Sequence, residues 1–514
     1  MRLLRSSAIV GLFTSASRVL GLVREMLLAA ALGAGATTDV FLTAFQFPNL
    51  FRRIFAEGAF NSAFVPLYAG KLEGDGPTDA QRFARQVLSL LFTAMLIFVI
   101  VAQIGMPWLM YLLGPGFIEN PQTFELAVLL TQITMPYLLM MSLSAMLSGV
   151  LNSHGKFAAA AAAPVLLNLT LIGTMLFSGA GGEQMALYLC IGITASGVLQ
   201  TAWLWFSVRQ LGVRLSLRLP RLTPDTRRLI VLGVPGAVAA GVTQINILVT
   251  SSIATLEEGA RSWLYYADRL YQFPLGVVGI AMGVVLLPTL SGRLRSGDVT
   301  GAANVMNRGL EVSMALTLPA AAALAVIPHF IVTALYQNGA FTAEAADRVS
   351  LAVVAFAFGL PAFVLIKVLS PGFFARQDTM TPMRYAAVSV AVNLVLGLIL
   401  FFGPLNFLGL AIATSVAGWV NAILLAVTLR KRGLLQPDAR LLHRLPRILG
   451  AVILMSAFLA MADQHTAWII DHSFGIPLLA LVLVCGSGAL VFGGSAMLTG
   501  ALRVSELLDA LKRP

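Results

Sequence analysis

The sequence has 514 residues, of which 58% are hydrophobic and only 11% are charged. Soluble chains carry about 25% charged residues, so this composition excludes a protein that water surrounds on all sides. The net charge of +11 would suit a nucleic-acid-binding protein, but Lys and Arg are spread over alternate loops, so no nucleic acid is expected as a partner. Both cysteines, Cys190 and Cys485, lie within apolar runs, which argues against a disulfide framework or a cysteine-based metal site.

Apolar runs long enough to cross a ~30 Å hydrocarbon core as a helix recur from end to end. The pattern predicts an all-α polytopic membrane protein with fourteen transmembrane helices. We expect them near 6–33, 38–70, 83–113, 123–151, 158–179, 184–208, 227–254, 261–291, 304–336, 345–370, 381–402, 406–430, 446–463 and 475–500. The first run resembles a signal peptide, but Arg18 and Arg24 interrupt it, so we interpret it as a retained membrane helix.

The distribution of basic residues over the loops predicts the orientation of the chain. If the N-terminus is cytoplasmic, most of the 34 Lys and Arg residues fall in cytoplasmic loops and tails. The outer loops then hold only Arg261 and Arg348. Cytoplasmic loops are enriched in Lys and Arg, so both termini are expected in the cytoplasm.

The first twelve predicted helices divide into two halves that share short matches. The matches are Gln46-Phe47-Pro48 with Gln272-Phe273-Pro274, Pro136 with Pro361, and Asn168 with Asn393. An even number of helices in each repeat gives the two halves the same topology, although chance similarity in apolar sequence is the alternative. The expected domains are a first lobe at 1–222 (helices 1–6), a second lobe at 223–432 (helices 7–12), and 433–514 (helices 13 and 14 with a cytoplasmic tail).

We assign ten charged residues to the interior of the predicted spans. The basic ones are Arg18, Arg24, Arg52, Arg53, Arg269 and Lys367, and the acids are Glu25, Asp39, Glu57 and Asp268. Each charge near the midplane costs roughly 2.5–3.5 kcal/mol on insertion scales, so these groups are expected to face each other or a water-filled cavity. Lys367 lies near a cytoplasmic helix end, where snorkelling to the interface is the alternative.

Helical spacing predicts polar faces on the first, second and eighth spans. On the first span Ser17 shares a stripe with Arg24, and Arg18 with Glu25. The other two faces contain Asp39, Gln46, Arg53, Glu57 and Asn61 on the second span, and Ser262, Tyr265, Arg269, Gln272 and Gly276 on the eighth. The cationic surplus suits a diphosphate, which Arg binds through planar, bidentate hydrogen bonds. The alternative is a set of internal ion pairs, such as Arg53 with Glu57, that only fix helix packing.

Several stretches of this sequence closely resemble the MviN/MurJ family of lipid II flippases. They are Ser17-Arg18-Val19-Leu20-Gly21 with Arg24, Thr38-Asp39, Phe47-Pro48-Asn49-Leu50-Phe51-Arg52-Arg53-Ile54-Phe55-Ala56-Glu57-Gly58-Ala59-Phe60, Tyr265-Tyr266-Ala267-Asp268-Arg269, Lys367-Val368-Leu369, Pro371-Gly372-Phe373 and Arg376-Gln377-Asp378. The likeness runs from residue 5 to about residue 430.

The resemblance implies a fold of the multidrug/oligosaccharidyl-lipid/polysaccharide exporter superfamily. Two six-helix lobes are expected around a central cationic cavity, with two C-terminal helices forming a groove for a lipid tail. It also implies the substrate lipid II, an undecaprenyl-diphosphate-linked disaccharide-pentapeptide. The family's important cavity residues match Arg18, Arg24, Arg52, Arg269 and Asp39 of this chain.

Two features depart from the family pattern. Glu25 stands where Asp is expected in many relatives, which keeps the charge but changes its reach. Some relatives have a sodium site formed by acids on the seventh and eleventh helices. Here those helices have only Asp225 and Asp378 at their ends, so no sodium site is expected.

The expected activity is therefore transport by alternating access, not catalysis. We expect Ser17, Arg18, Arg24, Arg52, Arg53 and Arg269 to bind the substrate, with Asp39 and Glu57 pairing with arginines when the site is empty. No catalytic residue, cofactor or metal is expected, and moving net charge would link transport to the membrane potential. The expected location is the bacterial inner membrane, with the phospholipid bilayer, lipid II and the cell-wall synthesis machinery as partners. The alternatives are a flippase for another polyprenyl-linked glycan and a membrane enzyme acting on polyprenyl phosphates.

Overall fold

The computed structural model describes residues 2–53, 60–465 and 475–502. Within these ranges the regular structure is entirely helical. The α-helices are α1 (Arg2–Leu32), α2 (Ala36–Phe51), α3 (Phe60–Gly74), α4 (Pro77–Leu113), α5 (Pro121–Thr134), α6 (Pro136–Ser153), α7 (Phe157–Phe177), α8 (Gly182–Gln210), α9 (Pro224–Ala254), α10 (Ala260–Arg295), α11 (Val299–Val326), α12 (Pro328–Tyr336), α13 (Ala343–Phe374), α14 (Met380–Phe401), α15 (Asn406–Lys431), α16 (Ala439–Asp463) and α17 (Gly475–Leu498). A short 3₁₀ helix, Pro115–Glu119, joins α4 to α5.

Ten candidate spans among the described residues are long and apolar enough to cross a membrane. They are α4, the pair α5–α6, α7, α8, α11, α13, α14, α15, α16 and α17. The prediction of an all-helical, polytopic membrane protein is confirmed. The four predicted spans outside these ten correspond to α1, α2–α3, α9 and α10. Three of the four, all but α9, were predicted to have the charged faces, and charged residues lower the mean hydropathy of a helix. The count of fourteen spans therefore stays a prediction.

Polar side chains cap the N-termini of several helices. Thr223 accepts a hydrogen bond from the Thr226 amide at the start of α9. Asp438 accepts one from the Leu441 amide (2.8 Å) at the start of α16. These side chains bind amide groups that have no partner within their own helix, and so fix where each helix begins.

The described chain divides into two compact units. The first contains Met1–Ser262 and Gly339–Phe341, and the second contains Trp263–Asn338 and Thr342–Pro514. In the first unit α9 packs against α3 and α4, and in the second α16 packs against α11 and α17. Compactness and sequence repetition are different criteria, so the predicted domains 1–222, 223–432 and 433–514 stay a prediction.

The repeated residues occupy comparable, though not identical, helix positions. Asn168 lies in α7 and Asn393 in α14, and each is 5% exposed. Pro136 is the first residue of α6, which follows α5 directly, whereas Pro361 lies within the unbroken helix α13. The first-half proline thus marks a break between helices, and the second-half proline is accommodated inside one.

A buried ion-pair network in the second unit connects α11 to α16. Glu311 is 4% exposed and accepts hydrogen bonds from Arg308, Arg440 and Arg444. Arg308 also donates to Asp438. The sequence analysis did not include Glu311 among the membrane charges, although it lies inside the predicted span 304–336 and is the thirteenth residue of α11.

Candidate functional site

The first group of predicted site residues lies on α1. Arg24 forms an ion pair with Glu25, and the two side chains are 15% and 5% exposed. Arg24 Nη1 also donates a hydrogen bond to Asn168 Oδ1 on α7 (3.0 Å). Ser17 is half-buried and Arg18 is exposed. The structure therefore places Arg24 and Glu25 together, and Asn168 also binds the guanidinium.

Asn168 connects this ion pair to the previous turns of α1. Its Nδ2 donates to the Ser17 carbonyl oxygen (2.9 Å) and lies 3.4 Å from Ser17 Oγ. One amide group thus positions Arg24 with its oxygen and Ser17 with its nitrogen. The sequence analysis used Asn168 only as a repeat marker, although a polar residue inside an apolar run was a signal that it faces other polar groups.

Asp39 on α2 binds the beginning of α10. Its Oδ2 accepts from the Gly259 amide and its Oδ1 from the Ser262 amide, both at 2.8 Å. Asp39 is 1% exposed, so a carboxylate is buried at a helix N-terminus, where the helix dipole favours negative charge. We expected Asp39 to pair with arginines. Its hydrogen bonds go instead to backbone amides, because the first amides of a helix have no partner within it.

Arg261 was assigned to an outer loop, and this assignment is wrong. The residue lies in the first turn of α10 and is 6% exposed. Its guanidinium donates to the Leu42 carbonyl (3.1 Å), the Ser251 carbonyl (3.2 Å) and Gln46 Oε1. Gln46 lies on the predicted polar face of α2, seven residues after Asp39. That spacing was the signal that a polar partner was required there, but the sequence did not identify it.

The remaining predicted residues of the second span lie near the end of α2. Arg52 is half-buried, and its Nε donates to Asn49 Oδ1 (2.7 Å), while Arg53 is exposed. Glu57 lies outside the residues that the structure describes. The expected continuous polar face along the whole second span therefore stays a prediction.

The predicted face of α10 is partly assembled in the second unit. Arg269 lies over the Tyr265 ring, with the guanidinium carbon 4.5 Å from the ring centroid. Gln272 Nε2 donates to Asp268. A cation over an aromatic face is attracted by the ring quadrupole, which stabilises the charge of Arg269. Tyr265 was predicted to share the polar face of this span with Arg269, and the contact between the two is consistent with that face.

The site residues divide between the two compact units. Arg18, Arg24, Arg52 and Arg53 belong to the first, and Arg269 belongs to the second. The convergence of their faces on one cavity stays a prediction. Lys367, on α13, is exposed. Among the described residues no group of three or more His, Cys, Asp or Glu side chains could hold a metal ion.

Comparison with protein families and curated proteins gives a consistent likeness over the whole chain. The family model described as "Lipid II flippase MurJ" matches residues 28–478. A probable lipid II flippase MurJ of Rhizobium meliloti (strain 1021) is 45% identical over 520 residues, covering 100% of this chain and 97% of the relative. A lipid II flippase MurJ of Burkholderia cenocepacia is 33% identical, covering 94% of this chain and 95% of the relative.

Solved structures show the same fold. A lipid II flippase MurJ in an inward closed conformation matches with a TM-score of 0.73 at 24% identity, covering 95% of this chain and 100% of that one. An inward-facing multidrug resistance MATE family transporter of the MOP superfamily matches with a TM-score of 0.68 at 14% identity, covering 81% and 94%. At these identities the likeness concerns the fold alone. Because the family model covers most of the sequence and the Rhizobium relative matches from end to end, this chain belongs to the MurJ family of lipid II flippases.

Proposed function

We propose that this protein flips lipid II from the cytoplasmic to the periplasmic leaflet of the bacterial inner membrane. The observation that carries the proposal is the full-length likeness to a probable lipid II flippase, at 45% identity over 100% of the chain. The family is one of transporters, so no covalent step on the substrate is proposed. Both termini are proposed to be cytoplasmic, as the loop charges predict.

The chemistry of the Arg24 cluster supports a diphosphate as the group that is recognised. Arg24 is held by Glu25 and Asn168 in a largely buried position. Arg binds phosphate oxygens through two parallel N–H···O bonds, which fix orientation as well as charge. Glu25 neutralises Arg24 while no anion is present, because a lone buried cation would be costly. A diphosphate takes over that neutralising role when it binds.

Alternating access is the mechanism that we propose. Arg18, Arg24, Arg52, Arg53, Arg269 and the Ser17 hydroxyl bind the diphosphate and sugar, and the polyprenyl tail stays in lipid beside α16 and α17. The site then opens to the periplasm. Any net charge that moves through the membrane field contributes ~2.3 kcal/mol per charge per 100 mV, so the rate should respond to the membrane potential.

The test uses a strain depleted of its own flippase, complemented with variants of this chain. Arg18→Ala, Arg24→Ala and Arg269→Ala should each fail to support growth while the protein remains in the membrane. Arg82→Ala is the matched control, because Arg82 has a 67% exposed side chain and forms a surface ion pair with Asp79. Growth with all three site variants would overturn the anion-binding site.

Translocation in proteoliposomes identifies the substrate class. Purified protein should move labelled lipid II between leaflets and leave it chemically unchanged. Transport of another polyprenyl-diphosphate glycan in preference to lipid II would assign the chain to a different cargo. Chemical alteration of the substrate would indicate an enzyme. Contact with the cell-wall synthesis machinery is proposed on the same basis, since lipid II is the substrate of that machinery.

A further inference from the structure

The segment between α8 and α9 has an unusual alternation of arginine and leucine. We call residues 211–223 the strap. Between Val213 and Leu222 its sequence reads Val-Arg-Leu-Ser-Leu-Arg-Leu-Pro-Arg-Leu. It forms neither helix nor strand, and it connects the end of α8 (Gln210) to the start of α9 (Pro224). The proposed function does not use this segment.

Side-chain hydrogen bonds attach the strap to α4. Gln81 Nε2 donates to the Arg214 carbonyl oxygen (2.9 Å), and the Arg218 amide donates to Ser89 Oγ (2.9 Å). At the end of the strap, Thr223 Oγ1 donates to Gln86 Oε1 (3.1 Å). The three bonds lie along successive turns of α4. The strap is therefore held in a defined position, not free to move as a flexible linker.

Burial decreases sharply along the strap. Val213 is 8% exposed and anchors its beginning against the protein. Leu217, Leu219 and Leu222 are 53%, 85% and 73% exposed. Leucines that are fixed in place and that no described residue covers favour an apolar environment outside the described part of the chain.

Positive charge accompanies these leucines. Arg214, Arg218 and Arg221 are all exposed, and Arg227 and Arg228 follow in the first turns of α9. The one acid in this stretch, Asp225, is bound by Lys71 at 2.9 Å, and this hydrogen bond raises the pKa of Lys71. Lys71 of α3 therefore neutralises Asp225, and the positive charge of the strap arginines remains exposed on the surface.

The position of the strap in the chain indicates which partner it binds. It joins α8, a candidate membrane span, to α9, a span predicted from sequence, on the side where the loop charges predict the cytoplasm. Arginine and leucine together fit the boundary between headgroups and acyl chains, where guanidinium groups bind phosphates and leucines enter the apolar layer. We propose that the strap docks on the cytoplasmic leaflet and binds the headgroup phosphates of anionic phospholipids.

The experiment places a probe at the most exposed leucine of the full-length protein. Leu219→Cys, in a Cys485→Ala background, is labelled with a nitroxide and reconstituted in phosphatidylcholine alone or with phosphatidylglycerol. Accessibility to oxygen and to a nickel chelate reports whether the label lies in lipid or water. We expect the label to enter lipid only when phosphatidylglycerol is present, and to leave it in about 1 M salt, where the Debye length falls to about 3 Å.

Two triple variants distinguish an effect of the strap arginines from an effect of positive charge elsewhere. In the strap variant, Gln replaces Arg214, Arg218 and Arg221. In the control variant, Gln replaces the exposed residues Arg295, Arg384 and Arg430. The strap variant should lower the ratio of lipid-inserted to water-exposed label, by roughly 100-fold at most. This bound follows from the loss of three arginines, each of which is attracted to an anionic surface. The control variant should leave the ratio unchanged.

Three results would overturn the proposal. The label could be equally accessible to water with and without phosphatidylglycerol. The control variant could release it as strongly as the strap variant does. Its protection could instead depend on the protein-to-lipid ratio, which would assign this face to a second copy of the chain. Equal melting midpoints for both triple variants verify that each is folded.

Discussion

The network around Glu311 allows a quantitative prediction about stability. Glu311 and Arg444 have side chains that are 5% and 7% exposed, so neither charge can return to water when its partner is removed. Arg440 is 42% exposed and can be solvated, and Arg308 retains its bond to Asp438. Glu311→Gln thus removes the carboxylate that faces the buried Arg444 guanidinium. Breaking a buried ion pair from one side costs about 3–5 kcal/mol.

Thermal unfolding of the purified protein in detergent measures this loss. For a cooperative unit of roughly 250 residues, a change of 1 kcal/mol shifts the midpoint by about 2 °C, so Glu311→Gln should lower it by roughly 6–10 °C. Asp75→Asn is the matched control, because Asp75 is 57% exposed and lies 3.6 Å from Lys71. Such a surface pair contributes about 0–1 kcal/mol.

A second substitution tests the cause of the loss. If loss of the carboxylate beside the buried Arg444 is responsible, Arg444→Met should restore part of the stability that Glu311→Gln removes, since a hydrophobic side chain has no charge to desolvate. A double variant that is less stable than Glu311→Gln alone would refute the reasoning. So would a Glu311→Gln protein that melts at the same temperature as Asp75→Asn.

Three further predictions concern the first unit. Asn168→Leu removes the bond to Arg24, and a hydrogen bond to a charged group is worth about 1.5–3 kcal/mol, so lipid II binding should weaken by roughly tenfold or more. A lower melting midpoint with unchanged affinity would limit the residue to a structural role. Asp39→Asn supplies one acceptor oxygen where two backbone amides donate, so hydrogen exchange at the start of α10 should accelerate; equal protection in both proteins would contradict the capping role. Gly33→Ala places a Cβ 2.3 Å from a backbone carbonyl oxygen at φ +70°, and should destabilise by about 1–3 kcal/mol in thermal unfolding, whereas Gly35→Ala, with nothing within 4 Å, should not. Equal melting of the two glycine variants would contradict the close approach.

The sequence by itself determined that this is a helical membrane protein, and it identified the charges of α1 and α2 but not the buried Glu311 of α11. Hydropathy over some twenty residues is a local property of the chain, because each helix satisfies its own backbone hydrogen bonds. The free-energy cost of inserting Arg24 and Glu25 into the membrane could also be inferred from the sequence, since it depends on the residue type and on its depth in the bilayer. Periodicity also put Asp39 and Gln46 on one face of α2.

The tertiary structure decided which groups meet. Asn168 is 144 residues from Arg24, and the Gly259 amide is 220 residues from Asp39. A periodic pattern shows that a helix face needs polar partners, but the choice among many polar groups depends on how helices pack. Arg261 illustrates the limit, because a basic residue next to a short loop is normally solvated. Only the position of the first turn of α10 beside α2 and α9 buries its guanidinium among carbonyl oxygens, where the hydrogen bonds that it gains replace those to water.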